Sequence, residues 1–144
     1  MPPARPALAW LLLPVVVAGF AAIWTLAALY SGHQCSFMAV VGAVDVLWVL
    51  SLAPALRTGP RAAVATVSTL VLVLLANWAI IAINVGAPLG TAPLESMAKL
   101  GPHHALTLAG LANSWVDAIW IALAVGAAIG GPVISARRRV LSAR

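Results

Sequence analysis

Acidic residues are nearly missing from this chain: Asp45, Glu95 and Asp117 are the only three in 144 positions. Charged residues of both signs reach 8% while apolar residues reach 63%, and that balance leaves a water-soluble domain too little polar surface to cover itself. A single cysteine, Cys35, excludes an internal disulfide. There is no P-loop, no G-x-G-x-x-G, no C-x-x-C-H and no i, i+4 pair of histidines, which removes the usual sequence grounds for nucleotide binding or covalent haem. Ser, His and Asp occur, but not at a spacing that argues for a hydrolytic triad. The pattern leans away from an enzyme acting alone.

What the chain does have is long uncharged runs. Four stand out, at about 8–30, 37–56, 62–84 and 106–134, and each reaches the roughly 20 residues a helix needs to cross ~30 Å of hydrocarbon. In lipid the backbone must satisfy its own hydrogen bonds, so such runs are helices or barrel strands. Barrel strands would be shorter and would alternate. The expected fold is therefore all-α, a polytopic membrane protein with four transmembrane helices in an up-down bundle and a single domain over 1–144. Stretches rich in Ala and Gly, 18–22 and 126–131, are expected to pack between helices. The first run is too long for the core of a cleaved signal peptide and is read as a retained anchor.

Basic residues set the expected orientation. Arg5, Arg57, Arg61, Arg137, Arg138, Arg139 and Arg144 fall on one side of the four runs, and Lys99 alone falls on the other. Loops rich in Lys and Arg stay in the cytoplasm, so both termini are expected there, in an inner membrane of bacterial type. The basic tail 135–144 follows a membrane run directly, and Arg137, Arg138 and Arg139 are assigned to anionic lipid heads rather than to nucleic acid. The outer loop 85–105 carries Pro88 and Pro93 and is read as surface, with one short turn at "LESMAKL". Pro14 and Pro54 should bend their helices.

Two segments repeat: "VDVLWVL" from Val44 and "VDAIWIA" from Val116, each with an aspartate three residues before a tryptophan. The repeat admits two parallel helical hairpins or coincidence. Counted from the run ends, Asp45 and Asp117 lie about 12–16 Å inside the hydrocarbon, with no Lys, Arg or His at that depth. Each must then face other helices, hold a proton or meet a cation. Asn113, Ser114, Asn77 and Asn84 supply hydrogen-bond partners, and Trp48 and Trp120 share a helix face with the aspartates. Read functionally, these residues form a proton or ion pathway; read structurally, they are interhelical glue.

His33, His103 and His104 fall at one membrane face, where they suit a copper or haem site or simply a headgroup boundary. The cofactor is left open between haem, copper and none. Three functions follow in order: a noncatalytic accessory subunit that binds other membrane subunits or its own copies; a proton- or cation-coupled transporter through Asp45 and Asp117; and a haem, pigment or copper redox subunit.

Overall fold

The computed structural model describes residues 6–52 and 57–142. Arg5, Pro54 and Arg144 lie outside the described residues, as do the side chains of Arg138 and Arg139. Among the described residues six α-helices follow one another: α1 (Pro6–Ser31), α2 (Met38–Ser51), α3 (Thr58–Gly86), α4 (Pro93–Lys99), α5 (Pro102–Ala112) and α6 (Trp115–Ser142). A 3-10 turn, Ala87–Leu89, closes α3, and no strand occurs among the described residues. Three segments among the described residues are long and apolar enough to cross a membrane, Trp10–Ser31, Thr58–Leu89 and Trp115–Arg137, and α2 is a shorter apolar helix.

Helices α1, α2, α6 and α3 pack in a ring, each against the next, and α2 also meets α3 across the middle. The interior is made chiefly of small residues: Ala39 and Ala43 of α2, Ala65 and Ala76 of α3, and Ala124 and Ala128 of α6 are all fully buried. Small side chains let backbones approach, which lets dispersion hold helices together where lipid offers no hydrophobic driving force. Trp24 of α1, 0% exposed, is a large ring sealed in this interior. Gly131 marks a close approach of α6 to α2, where a Cβ would sit 2.7 Å from the end of the Leu47 side chain. Gly126 and Gly130 have nothing within 4 Å of that position, so the 126–131 stretch is split between a packed side and an open one. Gly19 is open too.

The fourth apolar run differs from the expectation of one helix over about 106–134. It is broken at Asn113–Ser114, with Asn113 extended at φ −85° and ψ 130°, and the half before the break belongs to α5. The cause is local. Asn113 closes α5 by donating its backbone N–H to Ala109 O at 2.9 Å, and Ser114 O accepts the first bond of α6 from Ala118 N at 3.2 Å. Ser114 is thus an N-cap, and Asp117 three residues on completes a reciprocal box: Ser114 N donates to Asp117 Oδ2 at 2.7 Å while Asp117 N donates to Ser114 Oγ at 3.4 Å.

The loop over 85–105 is likewise more ordered than a bare connection. Its expected turn at "LESMAKL" is α4, where Lys99 pairs with Glu95 at 2.6 Å. The segment is fastened to the end of α3 by Thr91, which donates its backbone N–H and its hydroxyl to Gly86 O at 3.2 and 3.0 Å, and whose hydroxyl also meets that of buried Ser96. A side chain at Gly86 would collide with both hydroxyls.

Candidate functional site

The polar centre of the bundle is built from amides. Gln34, in the turn between α1 and α2, donates through Nε2 to Asn77 Oδ1 at 2.8 Å and to Asn113 Oδ1 at 3.2 Å. Asn113 Nδ2 donates to the same Asn77 oxygen at 3.1 Å and to Ala109 O at 2.9 Å. Asn77, buried in α3, spends its own Nδ2 on Val73 O at 3.0 Å. Trp24 Nε1 donates to the Gln34 carbonyl at 2.9 Å. One cluster therefore ties α1, the α1–α2 turn, α3 and the α5–α6 break. The turn that presents Gln34 is tight, with Gly32 at φ 69° and Cys35 at φ 50°. Left-handed backbone is uncommon for a residue with a Cβ, so Cys35 is held there by its surroundings.

Of the residues expected to form a polar seam, Asn77 and Asn113 do meet directly. Asn84 is exposed, beyond the cluster on α3. Ser114 and Asp117 serve the start of α6, and the Ser114 hydroxyl also donates to Asp117 Oδ2 at 2.7 Å. The buried hydroxyl of Ser36 lies beside that carboxylate without a hydrogen bond of its own. Sequence reasoning missed Gln34, although it is the lone amide in the "SGHQCS" bend. It also missed the Ser-x-x-Asp capping pattern at 114–117.

The two aspartates are not equivalent, despite their matching neighbours. Asp117 is the third residue of α6 and Asp45 the eighth of α2, so the expected depth of about eleven residues for Asp117 is corrected to the first turn of its helix. Asp45 is half-buried on the flank of α2, between buried Val46 and Val49 and exposed Val41 and Trp48, and forms no hydrogen bond to any described residue. Trp48 is 64% exposed and Trp120 is also on the outside. Neither tryptophan donates to an aspartate.

The chain matches no protein-family model, no curated protein and no solved structure.

His33 is exposed, and its Nδ1 lies 2.8 Å from Ser31 O in its own turn. His103 and His104 follow Pro102 in the first turn of α5, exposed and edge to face with ring centres 6.0 Å apart. Among the described residues no three of His, Cys, Asp and Glu gather as a metal-ligand set. On the opposite end of the bundle, Arg61 lines a cleft of about 280 Å³ with Trp48, Ser51 and Ser135, and Arg137 is exposed at the far end of α6.

Proposed function

We propose that this chain is a polytopic inner-membrane protein with both ends in the cytoplasm, and that it works as a noncatalytic accessory subunit. It spans four times, through α1, α2, the first part of α3 and α6. Three observations support that placement. The amide cluster puts the α1–α2 turn, Asn77 and the start of α6 at one level. Thr58 to Asn77 is about 20 residues, or ~30 Å of helix, which matches the hydrocarbon layer. Trp78 and Trp115 stand at that level and Trp10 and Trp48 toward the arginine end, as aromatic belts do. The rest of α3, with α4, then stands beyond that layer, and α5 lies alongside the outer end of the α3 span, against Val71 and Leu74.

The observation that carries the role is the uncovered face of α6. Ala118, Ala122, Gly126 and Gly130 recur every four residues, and Ala118, Ala122 and Gly126 are exposed. Flanked by Ile119, Leu123, Ile129 and Val133, all on the outside, this ridge suits a second helix at close range. The partner is a larger membrane complex or another copy of the chain. By contrast, transport through two deep carboxylates loses support once Asp117 belongs to a helix cap. Native electrophoresis of membranes solubilised in mild detergent tests the proposal: a discrete assembly is expected, lost in Gly126→Leu and Gly130→Leu and kept in Gly19→Leu. A protein that runs as a lone monomer, or an assembly indifferent to Gly126 and Gly130, overturns it.

A further inference from the structure

Of the three acidic side chains in this chain two are engaged: Glu95 pairs with Lys99, and Asp117 caps α6. Asp45 is the exception, with no hydrogen bond or ion pair to any described residue. It is the eighth residue of α2, about 10 Å along the helix from the α1–α2 turn. Leu47 of α2 lies against Gly131 of α6, and Gly42 lies against Phe20 of α1, so both flanks of α2 are packed. The face left between them carries Val41, Val44 and Trp48, all exposed, and Asp45 stands half-buried at its α1 edge. A carboxyl group among hydrocarbon is costly without a partner, because lipid replaces neither the water around its charge nor the hydrogen bonds of its neutral form.

We infer that this face of α2 docks a transmembrane helix of another protein that carries a lysine or arginine in mid-span, and that Asp45 pairs with that base. The inference rests on the membrane placement and the docking role proposed above, and adds the chemistry of the partner. No basic residue described in this chain stands at the level of Asp45. Arg57 and Arg61 open α3 and Arg137 stands near the end of α6, at the end of the bundle where α2 finishes, whereas Lys99 is held by Glu95 beyond the other end. In sequence, Arg5 precedes α1, and Arg138, Arg139 and Arg144 follow Arg137. A second copy has the same shortage: in one membrane its helices share this chain's orientation, so its basic residues stand at the same two levels. A base matches Asp45 better than an amide or hydroxyl does, since a charge-assisted hydrogen bond is roughly twice as strong as a neutral one. Val41 and Trp48, one turn before and after Asp45, supply apolar contact around the pair.

Synthetic polyleucine helices of about 20 residues that differ at one central position serve as probes. They are offered to the full-length protein in mixed micelles, and binding is followed by energy transfer from tryptophan to a dansyl group on the probe. The helix with a central lysine should bind about tenfold more tightly than the all-leucine helix, the ratio that one hydrogen bond between charged groups gives. A central glutamate should give no gain. Asp45→Leu should bring the lysine and leucine helices to equal affinity, and Asp45→Lys should transfer the preference to the glutamate helix. Equal binding of the lysine and leucine helices by the parent protein, or a lysine preference that survives Asp45→Leu, overturns the proposal. So does an assembly of the protein alone that Asp45→Leu disperses, because that outcome gives the face to a second copy. Native electrophoresis and carbonate extraction of the parent protein are read in parallel. With an intact assembly retained in the membrane, absence of a lysine preference refutes the partner chemistry alone, whereas a lone monomer or release by carbonate refutes the reading beneath it as well.

Discussion

Replacing Asn77 with leucine removes the acceptor at the centre of the amide cluster while keeping a side chain of the same length and branching. Two interhelical bonds end on its Oδ1, from Gln34 at 2.8 Å and from Asn113 at 3.1 Å. Interhelical side-chain bonds in membrane proteins are worth about 0.6 kcal/mol on average and about 1.7 at most. Loss of both therefore costs about 1–3 kcal/mol. Gln34 keeps one acceptor, Asn113 Oδ1, and Asn113 keeps Ala109 O, which holds the cost below that of orphaning a whole amide. Asn84→Leu, about two turns further along the same helix, touches no such partner and should change stability by less than about 0.5 kcal/mol. Reversible unfolding in mixed micelles, followed by tryptophan fluorescence, measures both. A double-mutant cycle of Asn77 with Gln34 should return a coupling of about 1 kcal/mol. Equal effects of Asn77→Leu and Asn84→Leu would refute the claim that the cluster is a structural tie.

Further perturbations address the other joints. Ser114→Ala and Asp117→Ala should each cost about 1 kcal/mol, and together less than their separate effects combined, because each removes the same capping box; hydrogen exchange at the first turn of α6 should quicken in all three proteins. Gly42→Val places atoms against Leu72 and Phe20, already 3.0–3.1 Å from a Cβ there, and should lower the unfolding midpoint by an amount equal to about 1–3 kcal/mol, while Gly19→Val should leave it unchanged. Alanine at Arg57, Arg61 and Arg137 together should mix the orientations of a C-terminal reporter that reads cytoplasmic in the parent protein; a reporter that reads outside in the parent sinks the topology.

Much of the helical outline was legible because apolar runs report length against a fixed thickness of lipid. The rest was hidden where short-range polar chemistry competes with hydropathy. At Asn113 and Ser114 the hydropathy run continues although the helix does not, since an N-cap and a residue three places on satisfy a new helix start better than an uninterrupted backbone would. That break also explains why identical spacing in "VDVLW" and "VDAIW" misled: spacing fixes what lies beside an aspartate, not how far along its helix it stands. Asn77 and Asn113 could be nominated from composition as buried amides, but Gln34 could not, because its role depends on a turn that carries it across to two other helices.

By itself the sequence determined the apolar character of this protein, its helical class and the placing of its few charges along the chain, all of which are additive properties of residues read along one line. Only the tertiary structure decided which polar groups meet, which glycines pack and which stay open, and where a carboxyl is left without a partner. Those outcomes are set by distances between helices, and 3–4 Å of separation between segments distant in the chain is a quantity that no local pattern encodes.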